Sequence, residues 1–401
     1  MTVAVEAPVR ARRGHVAGFA LALGALLAMM AGASAPSPFY PVLEREIGFS
    51  PAALTGIFAV YAVALLLTLL LTGSLSDHLG RRPVISMAFA LLALSMLVFW
   101  HADSVLLLVL ARIVQGVASG LLLSSLTAAV VDLEPQSRPG IAATSNSVLP
   151  LAGLALGALV GGAVIDQADS PMVDVFGALT VVYVVLALAL WLLPETSPRH
   201  TGVLQSFRPK VGVPRSARPA FVRSAPALFA GWATGGLYLS LGAPLVAQEL
   251  GGTNHVEQGL AVTTLTGVGA LSCFLARRHS ARHITLYGTT ALALGTALTL
   301  MALAASSYWG FIAAAVVAGS GFGTSFLGIM RSITPAAAPA ERGELFASVF
   351  VISYLAFGIP AVVAGIAAPH IGLAPTTYAY GGLVTVLSGA AALLRKYRST
   401  E

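Results

Sequence analysis

Long apolar stretches, each bounded by short polar or basic segments, recur along nearly the whole chain. Crossing roughly 30 Å of hydrocarbon takes about 17 to 25 helical residues. Twelve stretches reach this length: 15–35, 52–75, 83–100, 104–131, 140–165, 173–193, 225–248, 256–276, 283–305, 308–330, 343–368 and 374–394. In lipid a backbone has no water to bond, so each stretch is predicted to be a helix that closes its own hydrogen bonds. An outer-membrane barrel would show strands of about ten alternating residues, a pattern absent from this sequence. The chain therefore reads as an all-α integral membrane protein.

One segment interrupts the rhythm. Residues 195–224 are rich in proline and carry six Lys or Arg, which predicts a basic linker. Six spans precede it and six follow, so residues 1–194 and 225–401 are expected to form two six-helix bundles. Such a 6+6 layout belongs to transporters built from repeated halves, with the substrate site between the halves near mid-membrane.

Composition agrees with this picture, and charge orients it. The 401 residues are 57% hydrophobic and 9% charged, with a formal net charge of +6. If the amino terminus is cytoplasmic, 20 of the 22 Lys and Arg fall in the terminal segments and loops on that side, leaving only Arg45 and Arg112. Positive-inside bias then puts both termini in the cytoplasm. Basic residues spread over seven short segments form no nucleic-acid patch, so no nucleic-acid partner is expected. The first span, read instead as a removable leader, would leave an odd number of spans and invert the other loops. Trp100, Trp191 and Trp309 fall at span ends and read as interfacial anchors. The lone Cys273 permits no intrachain disulfide. A chain rich in Ala, Gly and Leu, with no Asn-x-Ser/Thr acceptor in an outside loop, fits a bacterial cytoplasmic membrane.

Candidate chemistry starts at "GSLSDHLGRRP", residues 73–83, between spans 2 and 3. Asp77 and Arg81 are four residues apart and can face each other on a helical turn, while Gly73 and Gly80 permit a tight reversal. The segment, together with the 6+6 layout, resembles the signature of the major facilitator superfamily, matched in order by Gly73, Asp77, Gly80, Arg81 and Arg82. The resemblance implies the major facilitator fold, transport by alternating access, a small-molecule substrate and a monomer. It makes Asp77, Arg81 and Arg82 a conformational latch that shuts the cytoplasmic side in the outward-facing state. The alternative is that these charges only set topology and a turn.

Arg112 is the ionisable residue placed well inside a span, where a charge is expensive and usually functional. With Gln115 and Gly116 it resembles the superfamily's span 4 motif, which implies coupling or substrate gating. The alternative is an arginine bonded to helix-end carbonyls. In span 5, Gly153, Gly157, Gly161 and Gly162 leave one helix face nearly bare, as helix packing requires. The spacing is similar to the antiporter signature of the family's drug exporters, although Ala158 stands where that pattern has proline.

Family geometry puts the substrate cavity among spans 1, 4, 7 and 10. The candidates are Met29, Met30, Ser119, Trp232, Tyr238, Phe322 and Phe326, with Gln115 beside Arg112 and Tyr61, Asn146 and Tyr354 on flanking helices. This set is mostly apolar and suits lipophilic molecules. The resulting expectation is a secondary transporter that exports drug-like compounds by proton antiport. Uptake of a small metabolite by symport or uniport, an anionic one if Arg112 binds it, is the alternative. A non-transporting membrane sensor is a third reading. No metal site and no cofactor are expected, a proton gradient being the driving force. Without a phosphate-binding loop or a catalytic constellation at membrane depth, neither direct ATP use nor an enzyme is predicted.

Overall fold

The computed structural model describes residues 9–192, 194–197, 199–203, 211–338 and 341–397. Residues 204–210 of the expected linker lie outside the described residues. Twelve long helices account for the predicted spans: α1 (Val9–Ser34), α2 (Pro51–Thr72), α3 (Arg81–Trp100), α4 (Val105–Asp132), α5 (Ile141–Gln167), α6 (Ala178–Ala189), α7 (Arg218–Gln248), α8 (His255–Ala276), α9 (Ala281–Ala304), α10 (Tyr308–Ile333), α11 (Arg342–Ile371) and α12 (Leu373–Tyr397). A π turn, Val173–Gly177, and a 3₁₀ turn, Leu190–Leu192, extend α6 at its two ends.

Polar residues at the loop edges start these helices. Ser50, Ser104, Asn254, Ser280 and Ser307 each cap a first turn by accepting a backbone N–H three residues on. Large apolar side chains such as Leu188, Met301 and Val386 stay exposed on the outside of the bundle, where lipid replaces water as their neighbour.

Eleven spans are long and apolar enough to cross a membrane by length and composition. The other, α7, is diluted by Gly, Trp, Tyr, Ser and Pro. Nearly every residue from Ser224 to Val246 is buried within the protein, so little of this helix has to face lipid. It also begins at Arg218, inside the segment expected to be linker, because Pro219 near its start is compatible with a first helical turn.

In the first six helices, α4 packs against α1, α2 and α3, and α5 packs against α1. In the last six, α9 packs against α10 and α12, and α7 against α11 and α12. Two seams join these groups, α5 with α8 and α2 with α11. One end of the bundle carries the basic loops after α2, α4, α8 and α10, and is called the basic end below.

Candidate functional site

Between the two groups lies a cavity of about 280 Å³. Its wall is formed by α7 and the basic-end parts of α4, α5, α8, α10 and α11, and reaches the other side at Met30 and Ala33 of α1 and Phe58 and Tyr61 of α2. Of the sequence candidates, Met30, Tyr61, Asn146, Trp232, Phe322, Phe326 and Tyr354 line it. Trp232 is the centre of an aromatic cluster, its ring centroid 5.0 Å from Tyr354, 5.8 Å from Phe326 and 6.3 Å from Phe357. The residues lining the cavity include no Asp, Glu, His, Lys or Arg.

Four candidates face elsewhere, one of them Gln115, which is bonded to Arg112 and to the Gly32 carbonyl. Met29, one residue from Met30 and so about 100° around α1, is buried in the core of the first six helices. Ser119 is buried on α4, outside the cavity wall, between Gly116 and Gly120, where α4 meets α2 too closely for further side chains. Tyr238 shares a 2.7 Å hydrogen bond with Thr299 of α9 and packs on Phe311, which holds its ring inside the second group.

Arg112 is 1% exposed. Its Nε donates to the Tyr40 hydroxyl at 2.7 Å, and its Nη1 donates to Gln115 Oε1 at 2.5 Å and to the Ala33 carbonyl at 3.3 Å. Gln115 Nε2 in turn donates to the Gly32 carbonyl at 2.8 Å. Gly32 and Ala33 are in the last turn of α1, whose carbonyls lack intrahelical partners and carry the negative end of the helix dipole. The Arg112 and Gln115 side chains therefore close the end of α1. Four rings, Tyr40, Phe58, Tyr61 and Phe99, surround the guanidinium at 5.4 to 5.5 Å. Gly116, next in the motif, brings α4 against the Tyr61 carbonyl of α2.

The glycines of α5 divide their work. Gly153, Gly157 and Gly161 lie against Leu27, Ala31 and Ala35 at the end of α1, where a methyl group would run into main-chain carbonyls. Gly162 instead faces the His255 carbonyl at the start of α8, and Gly259 of α8 returns the contact on the Ala158 carbonyl. Here, at the end away from the basic loops, the Asp166 carboxylate accepts N–H groups from His255 at 3.0 Å and Val256 at 2.8 Å, and pairs with His255 Nδ1 at 2.7 Å. On the second seam Thr55 of α2 abuts Gly365 of α11. Sequence reasoning passed over Asp166; its place four residues beyond Gly162 was the available signal.

At the basic end Arg81 pairs with Asp77 and, at 3.2 Å, with Asp132 at the end of α4. Gly80, at φ 111°, turns the chain so that the Arg81 and Arg82 amides point at Glu195, at 2.8 and 3.3 Å. Burial pulls the Glu195 carboxyl upward, but the N–H donors of Ser197, Arg81 and Arg82 and the Arg199 charge outweigh it and hold it below the usual carboxylate range. Asp77 also offers its carbonyl to Ser197 and His200. Every one of these partners belongs to the first six helices or the segment just after them. The corresponding turn after α8 has no acid; there Arg331 of α10 donates to the Arg277 and His279 carbonyls.

The chain resembles a Staphylococcus aureus protein described as quinolone resistance protein NorA, at 22% identity over 174 residues, covering 43% of this chain and 44% of that protein. It also resembles an Escherichia coli protein described as uncharacterized transporter YebQ, at 26% identity over 162 residues, covering 40% of this chain and 35% of that protein. These matches thus span less than half the length of either relative. The sequence profile of the Major Facilitator Superfamily matches residues 21–295, well over half of the chain. This chain belongs to the Major Facilitator Superfamily, a family of membrane transporters and not of enzymes.

Proposed function

We propose that the protein exports small, largely apolar compounds across a bacterial cytoplasmic membrane by alternating access, driven by proton antiport and acting as a monomer. The cavity carries this reading: its wall is mainly aromatic and aliphatic, no charged side chain is among its described lining residues, and most of that lining lies in the basic-end parts of the helices. Positive-inside bias assigns that end to the cytoplasm, so a substrate would enter from the cytoplasm or the inner leaflet. The partial likeness to a protein described as conferring quinolone resistance supports the direction. With no Asp, Glu or His among the described lining residues, the coupling groups are taken to be the charged clusters at the two ends of the bundle, Asp77, Asp132 and Glu195 at the basic end and Asp166 with His255 at the other. Asp77, Arg81 and Arg82 would then latch the basic end when it closes.

The test is transport of lipophilic dyes and antibiotics into inside-out vesicles, with and without an imposed pH gradient. Gradient-dependent accumulation that Asp77→Asn abolishes supports a proton-coupled exporter. A panel that does not move, with the protein normally folded, turns the reading to uptake of a metabolite.

A further inference from the structure

We propose that the cavity selects by sign of charge: it accepts lipophilic anions and neutral molecules and rejects lipophilic cations, because Arg112 stands behind its inner wall with no carboxylate among the described residues paired to it. This rests on reading the cavity as the transport site.

Three observations meet here. All the hydrogen-bond acceptors around Arg112 are neutral, namely Tyr40, Ala33 and Gln115, and its Nη2 is buried with no partner. Ala33, Phe58 and Tyr61 belong both to the surroundings of Arg112 and to the cavity wall, so a ligand seated there lies one side-chain layer from the guanidinium. The wall itself contributes no charge of either sign. A buried cation is poorly screened, and its field reaches across a layer of apolar side chains much further than it would through water. At Phe58 and Tyr61, whose rings Arg112 already engages, a ligand cation would meet the charge of the guanidinium across the ring.

The experiment uses the full chain in a non-ionic detergent, with N-phenyl-1-naphthylamine as a neutral fluorescent occupant. Its position is reported by energy transfer from Trp232, taken as the part of the signal lost in Trp232→Phe. Tetraphenylborate and tetraphenylphosphonium, matched in size and shape and opposite in charge, then compete for the site. The borate is expected to displace the dye at a concentration lower by roughly tenfold or more, the order set by a unit charge one layer away. Arg112→Gln should erase the difference. Should that variant not fold, Tyr61→Glu, which sets a carboxylate beside the guanidinium, should erase it too. Equal displacement by the two ions, a preference for the phosphonium, or a borate preference that survives in both variants overturns the charge selectivity and leaves the cavity reading intact. Absence of dye transfer from Trp232 overturns both.

Discussion

Asp166 and His255, 89 residues apart, clamp α5 to α8 at the end of the molecule away from the basic loops. The carboxylate sits on the first turn of α8, so it meets both the histidine ring and the positive end of a helix dipole. Around it Gly162 and Gly259 let the two backbones touch. Since α5 belongs to the first six helices and α8 to the last six, this is a bond that the proposed alternating access would have to break.

Removing that bond should free the closed end. For Asp166→Ala we expect loss of about 1 kcal/mol, the value for a partly exposed charge-assisted contact, or roughly fivefold in the ratio of closed to open forms. Spin labels at Asp169 and Thr253 would show it as a growing long-distance population. An unchanged distribution would mean that glycine packing alone holds this end.

Gly157 and Gly162 should separate stability from conformation. Gly157 packs inside the first group, against Ala31 and Ser34, so Gly157→Leu should lower thermal stability by about 2 kcal/mol or more through overpacking. Gly162 packs across the seam, so Gly162→Ala should leave the unfolding midpoint nearly in place and shift the same label distances outward. Equal losses of stability would contradict this division.

Tyr40→Phe takes away the acceptor of Arg112 Nε while keeping the ring. A buried guanidinium donor left without its partner should cost about 1 to 3 kcal/mol. Denaturant unfolding in mixed micelles measures it, and a neutral result would show that Nε finds another acceptor.

The Glu195 carboxylate is held below its ordinary range, so it favours the folded turn above that range, and the contribution is lost as pH falls through the lowered value. Protection of the Arg81 and Arg82 amides, the intrinsic exchange rate at each pH divided by the observed one, should therefore fall on acidification. In Glu195→Gln that protection should be lower at neutral pH and nearly independent of pH. Acid-dependent protection surviving in the variant would contradict the role given to Glu195.

The twelve helical spans were legible in the sequence, since lipid compels every crossing segment to bond its own backbone, whereas the family was legible only through the resemblance carried by Gly73, Asp77, Gly80, Arg81 and Arg82. The "GSLSDHLGRRP" turn was legible for a local reason, as Asp77 and Arg81 are one helical turn apart. Two of its partners, Asp132 and Glu195, were not, because α4 and the end of α6 reach that turn only through folding. Tertiary structure alone decided which residues face the cavity. In a helix with lipid on one side and apolar neighbours on the other, hydrophobicity scarcely varies around the axis, so nothing in the pattern separates Met30 at the cavity from Met29 in the core. The clamp between Asp166 and His255 depended likewise on the meeting of two distant helix ends, where small residues allow approach and the charges complete it.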